Sequence, residues 1–265
     1  MKKIYLILLS IILCTGLLLA QSNGKPKSTT NIDLKSPPSD TSIPNIEMVH
    51  VQGGSFTMGC TCEQNSDCND NEKPAHQVTL SDYYIGKYEI TQNQWDMVMG
   101  SNPSHRKGDN LPVENINWDD IQEFISKINA LTGRNYRLPT EAEWEFAARG
   151  GNNSRGYKYS GCNNLDSVAW HNGNSSNQSH PVGSKSPNEL GIYDMSGNIL
   201  EWCSDWYESY SNHTQINPSG PSSGIVHILR GGSWMQEAQI CCVSRRLYTF
   251  PSNSHIFIGL RLASS

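Results

Sequence analysis

Helical periodicity in this chain ends at Gly150, and from there to Ser265 only short apolar runs alternate with long polar loops. No internal repeat organises that half. Loops of this length inside a folded body need disulfides, metal or dense hydrogen bonding to hold them. The fold is therefore limited to a loop-rich, mixed α/β body with little regular secondary structure. Hydrophobic residues at 36% and charged residues at 17% agree with this, because Gly, Ser, Asn, Pro and Thr fill the rest.

The region before Gly150 is more regular. "IEMVHVQGGSFTMG" reads as two short strands around a Gly-Gly turn, and "HQVTLSDYYIGKYEIT" continues in the same style. Thr91 and Gln94 have capping-box spacing ahead of Trp95 and Val98, and Gly100 is the stop. In "NWDDIQEFISKINALTG", Ile121, Phe124, Ile125, Ile128 and Leu131 make one helical face between the N-cap Asn117 and the terminator Gly133. "RLPTEAEWEFAARGG" gives a third helix. Thr140 and Glu143 form its capping box, Trp144, Ala147 and Ala148 its buried stripe, and the acids are read as capping and solubilising groups. Of the tryptophans, Trp95, Trp118, Trp144, Trp202 and Trp234 read as core, and Trp170 and Trp206 as the border of a groove.

The first 20 residues read as an export signal. Lys2 and Lys3 precede the apolar run "IYLILLSIILCTGLLLA", with a cut after Ala20. A lipid anchor at Cys14 and an uncleaved membrane anchor are the alternatives. Every version places the body outside the cytoplasm, in the periplasm, at the cell surface or secreted, where disulfides are permitted. Residues 21–44 are rich in Ser, Thr, Pro and Lys and read as a linker, which leaves 45–265 as the folded domain. The net charge of −5 carries no basic stripe, so nucleic acid is not an expected partner, and membrane contact is expected only through the N-terminal segment.

Eight cysteines are present. Cys60 and Cys68 are spaced to close a small loop, and a zinc knuckle with Cys62 and His76 is the competing reading. Without Cys14 the thiol count is odd, and Cys242 is the one read as free and buried. HExxH, GxSxG, P-loop and GxGxxG patterns are absent.

Six segments in order, "GGSFTMG", "YYIGKYEITQNQW", "RLPTEAEWEFAARGG", "GIYDMSGNILEWCSDWY", "RGGSW" and "IGLRLA", together resemble the formylglycine-generating enzyme (sulfatase-modifying factor) family from about Ile46 to Ala263. The resemblance implies a variant C-type-lectin-like fold and structural calcium. It also implies, for catalytic members, oxidation of a sulfatase cysteine to formylglycine with oxygen and copper held by two cysteines.

Counting from Ser233, those two positions hold Gln236 and Cys241 here, and Leu200 stands where catalytic members have tryptophan. Copper(I) favours a pair of thiolates, and an amide is a poor substitute. Cys242 could replace the missing thiolate only through a local bulge or turn, since adjacent residues on a strand face opposite ways. The expectation is thus a family member without the copper site that binds a protein, peptide or glycan, or joins a surface assembly, through a surface near Ser233, Gln236, Cys241 and Arg245. The alternative is an active oxidoreductase on a sulfatase, with Cys241 and Ser233 in the catalytic centre. The resemblance further implies a Cys203–Cys241 disulfide. It also implies a calcium site at Asp194, Gly197, Ile199 and Glu201 with Asn198 in support, the glycine and isoleucine contributing backbone oxygens. "DSVAWHNGNSSNQ", with Asn172 and Asn174, is a looser match to a second calcium loop.

Overall fold

The computed structural model describes residues 43–64 and 67–265. The expected export signal, with Cys14 and its alternative reading as a lipid anchor, and all but the last two residues of the expected linker lie outside them. The strands are β1 (Met48–Val51), β2 (Gly54–Met58), β3 (His76–Leu80), β4 (Tyr83–Gly86), β5 (Tyr136–Arg137), β6 (Leu200–Trp206), β7 (Gln215–Ile216), β8 (His227–Arg230), β9 (Leu247–Thr249), β10 (Ile258–Gly259) and β11 (Ala263–Ser264). The helices are α1 (Gln92–Met99), α2 (Trp118–Thr132), α3 (Glu141–Ala148) and α4 (Leu165–Val168). This is a mixed α/β fold with modest regular content.

The three long helices begin and end where side-chain chemistry dictates. Thr91, Asn117 and Thr140 each accept the backbone N–H three residues on, and Gln94, Asp120 and Glu143 return the bond, so each start is a closed capping box. Gly100 (φ 71°) and Gly133 (φ 67°) end α1 and α2 in the left-handed region, which a side chain would strain.

The strands form three small sheets, ordered β1-β4-β11-β5, β10-β6-β8-β9 and β2-β3-β7. Strand β11 is central in the first, paired with β4 on one side and β5 on the other, so residues 263–264 are held between segments far earlier in the chain. One apolar cluster gathers α1 and α2 through Trp95, Ile121, Phe124 and Ile128 with Leu200 and Trp202. A second gathers α3 through Trp144, Phe146 and Ala147 with Val78, Ile85, Cys203 and Ile228.

Helix α3 departs from the expectation. All eight of its residues are buried, the acids included. Glu141 and Glu145 do not solubilise a surface. They face the guanidinium of Arg230 from β8, itself fully buried, at 3.2 and 2.5 Å. Arg246 adds a two-pronged contact to Glu141 at 2.7 and 2.8 Å, and Arg149 pairs with Glu145 at 2.9 Å. Charges so desolvated are tolerable only because each finds its partner.

Candidate functional site

Strand β8 delivers the chain into the Gly-Gly-Ser turn. Gly231 and Gly232 take φ of 96° and 75°, and a Cβ on Gly232 would lie 2.7 Å from the Cys241 sulfur. The turn therefore packs directly on Cys241, and only glycine fits there. Ser233 is fully buried and its hydroxyl has no partner; Gln236 is half-buried with its side-chain oxygen unpartnered.

Cys241 closes a short 3-10 turn, Ala238–Cys241, and is 0% exposed; Cys242 follows at 1%. Burial, then the neighbouring Cys242, pushes the Cys241 thiol up to about 12, and burial pushes Cys242 up to about 11. Both stay protonated at neutral pH and cut off from solvent, the reverse of a thiolate donor pair.

The Cys203–Cys241 bridge is not formed. Both residues are free buried thiols, Cys203 in the α3 cluster and Cys241 with Cys242, Tyr159 and Val168 in a separate one. The disulfide that does form is Cys60–Cys68, the bridge read from local spacing. Cys62 is exposed and free. The surface expected near Ser233, Gln236, Cys241 and Arg245 is also closed. Arg245 is buried, pairs with Glu72, and donates to the Gln239 and Asp67 carbonyls.

The calcium and copper expected from the resemblance are both corrected by the donor sets present. Among the described residues, no group of three or more His, Cys, Asp or Glu is arranged to hold a metal ion. The reason lies in what the expected ligands do instead. Arg261, fully buried, supplies the counter-charge, clasping Glu201 through Nε at 3.0 Å and Nη2 at 2.8 Å, while the Trp144 indole donates to Glu201 Oε2 at 2.7 Å. Asn198 accepts from the His180 backbone N–H and donates to Glu89 at 2.6 Å; Glu89 also accepts from the Ile199 N–H. Asp194 Oδ2 accepts from Gly183, and its other oxygen is unpartnered. Gly197 (φ 81°) lies against the Trp170 carbonyl, where a Cβ would sit at 2.3 Å. Asn174, from the looser loop, is spent on the His171 N–H, Asp166 and the Ala169 carbonyl. This segment is a hydrogen-bonded hub. Glu89, at its centre, was not singled out from the sequence, where "YEIT" reads only as a strand leading into a helix.

Burial sets the titration of this interior. It raises Asp194 to about 6 and, with the charge of Glu141 adding, Asp205 to about 7. The ordinary aspartate value is 3.8, so the folded state holds protons that the unfolded chain has released. Stability is therefore lost as pH rises from 3.8 to these raised values and levels off above about 7. Lowered groups oppose this. Against the cost of burial, Arg246 and Arg230 hold Glu141 down, so it acts only below the ordinary glutamate range, as do the lowered Glu63, Asp67 and Asp166; burial lowers His227. The expected result is a lower melting temperature at about pH 8 than at about pH 5, with part of the slope removed by Asp205→Asn and the rest carried by Asp194, Glu89 and Glu114, which burial also raises. A higher melting temperature on the alkaline side would contradict this electrostatic picture.

Open space adjoins the Gly-Gly-Ser-Trp segment on the other side of Trp234. A cavity of about 300 Å³ is lined by Trp234, Ile256, Glu114, Arg106, Gln178 and Ser179, among others. Trp234 is 8% exposed and its indole donates to the Ile256 carbonyl, while the Ile256 side chain is 39% exposed at the rim. Glu114 is buried. One oxygen accepts from the His105 and Arg106 N–H groups, the other has no partner, and burial raises its pKa. The lining is an apolar wall with a few convergent polar groups, the general form of a ligand pocket.

Comparison with known proteins agrees with this architecture. The sulfatase-modifying factor enzyme 1-like domain model matches residues 34–265. The chain belongs to that family, the formylglycine-generating enzyme family. It is 36% identical over 248 residues to chaperone protein LppX of Paenibacillus barcinonensis, covering 75% of this chain and 82% of that one. It is 32% identical over 285 residues to the formylglycine-generating enzyme of Streptomyces coelicolor, covering 82% and 88%. Among solved structures, Treponema denticola variable protein 1 superposes with a TM-score of 0.75 at 32% identity, covering 82% of this chain and 94% of that one.

Proposed function

We propose that this chain is an exported member of the formylglycine-generating enzyme family that binds a polypeptide and has lost the oxidase chemistry. The observation carrying this reading is the state of the two positions that would need to be accessible thiolates. One is the amide Gln236, and the other is the fully buried thiol Cys241, pushed up to about 12. The cavity beside Trp234 is the contact site. On the family resemblance, the scaffold is a C-type-lectin variant, a loop-bearing frame suited to presenting such a surface. The relative named a chaperone protein supports a polypeptide as the ligand. A sulfatase remains one candidate polypeptide, as a binding partner.

Selection of a displayed peptide library on the folded domain tests this. The reading expects enriched peptides whose binding drops at least about tenfold with Ile256→Glu, which places a charge at the cavity rim without disturbing the core. Enriched peptides indifferent to Ile256→Glu and Trp234→Ala would overturn the assignment of the site.

A further inference from the structure

A second cavity, away from the Gly-Gly-Ser segment, has a charge balance that points to a ligand. It measures about 180 Å³ and lies between the start of α3, the end of β6 and the loop after β7. Its lining includes Asp205, Glu141, Arg246, Tyr210, Glu208 and Met58. Asp205 and Glu141 are 5% and 4% exposed, so the charged lining is built into the core.

Each acid on α3 has its own cation. Glu141 has Arg246 and Arg230, Glu145 has Arg149 and Arg230, and Glu143 has Arg137 in a two-pronged contact at 2.7 Å on both oxygens. Asp205 has none. Its Oδ2 accepts from the Glu141 N–H at 3.0 Å and the Ser204 hydroxyl at 2.9 Å, both neutral donors. Arg246 shares the cavity but is spent elsewhere. Its Nε and Nη2 hold Glu141, Nη1 holds the Asn71 carbonyl, Nη2 also reaches the Glu208 carbonyl, and its guanidinium lies 3.7 Å from the centre of the Tyr210 ring. The turn carrying Gly220 closes over the site, with a Cβ there only 2.9 Å from the Asp205 Cβ. Glu208, exposed at the rim, adds a second negative charge.

We propose that this cavity binds a single ammonium or guanidinium group, with Asp205 as its counter-charge and Glu208 as its outer acceptor. A buried carboxylate without a cation gains most from an organic cation, because pairing removes the cost of burying one sign of charge alone. Met58, Ala142 and Pro218 in the lining give an alkyl stem its contacts. An anion meets three carboxylates, and a neutral polyol leaves Asp205 uncompensated.

The groups facing Asp205 are Glu141 and Glu143 from α3, Arg137 from β5, Cys203 from its own strand, and His227 from β8, whose ring meets the Asp205 carbonyl. Burial first and Glu141 second raise Asp205 to about 7, so a bound cation draws the proton off and affinity falls as pH drops below that value.

Isothermal titration of the full chain tests this with butylamine, N-acetyl-lysine amide and N-acetyl-arginine amide, against butanol, glutamate and calcium chloride as controls. The amines are expected to bind at least about tenfold tighter than butanol, and to weaken about thirtyfold from pH 8 to pH 5.5. Preference for butylamine marks a free-amine ligand, and preference for the capped amino acids marks a basic side chain of a partner. Asp205→Asn, which keeps an oxygen for the Glu141 N–H, is expected to abolish the preference. Glu208→Gln, on an exposed side chain that folding does not need, is expected to weaken binding two- to fivefold. Should Asp205→Asn fail to fold, the Glu208 variant and the pH series still decide. Equal affinity for butylamine and butanol, calcium competing for the site, or full amine binding by a folded Asp205→Asn chain would overturn the proposal. None of these outcomes bears on the cavity beside Trp234.

Discussion

Arg230→Ala is expected to destabilise the protein by about 3–5 kcal/mol, enough to leave a domain of this size largely unfolded in mild urea. Arg230 is 0% exposed. Its Nη1 donates to Glu141 and the Ser244 carbonyl, and its Nη2 to Glu145 and the Val243 carbonyl. Removing it leaves two carboxylates partly uncompensated and strands two carbonyls of the segment following Cys242. The loss includes the tie between α3, β8 and that segment, so the whole Gly-Gly-Ser region should loosen with it. Equilibrium urea unfolding checks this. A loss under about 1 kcal/mol would mean that Arg149 and Arg246 carry the network alone.

Arg261→Ala is the second large effect, again about 3–5 kcal/mol. It unpairs Glu201, and it also releases the Gly86 and Tyr193 carbonyls, which accept from Nη1 and Nη2. It leaves Glu89, Asp194 and Glu201 without the cation that holds them near one another. Because Arg261 and Trp144 already occupy the Glu201 oxygens, added calcium is expected to leave the wild-type melting temperature unchanged and not to restore the variant. A calcium-dependent rise of several degrees in either protein would show that the segment around Asp194–Glu201 prefers a metal to the arginine.

These two residues mark where sequence reasoning stopped. The starts and ends of α1, α2 and α3 were legible because a cap is a local event, decided by Thr91, Asn117, Thr140 and the residues three positions on. The Cys60–Cys68 bridge was legible for the same reason, being eight residues apart. The acids of α3 were misread because their partners come from far along the chain, with Arg230 eighty-five residues from Glu145 and Arg246 a hundred and five from Glu141. Local pattern alone makes such acids look like an exposed helical face. The Cys203–Cys241 pairing failed on tertiary placement too, since α3 and its neighbours hold Cys203 in a core distinct from that of Cys241. The calcium site implied by the resemblance failed on a distant partner as well, since Glu201 is taken by Arg261 from "IGLRLA", a segment quoted as a family motif with no charge role assigned to it. Two-residue strands such as β5, β10 and β11 carry too few positions to show a period at all.

A half-buried amide at 236 and a sealed thiol at 241 are what support the proposal that this family scaffold is a binder rather than an oxidase. The direct measurement adds copper(I) to the folded domain, titrates its binding, and follows aldehyde formation by mass spectrometry on a Cys-x-Pro-x-Arg peptide in air. The native protein is expected to retain no stoichiometric copper and to leave the mass of the peptide cysteine unchanged. One copper per chain, lost on Cys241→Ser and accompanied by conversion of the peptide cysteine to formylglycine, would contradict it.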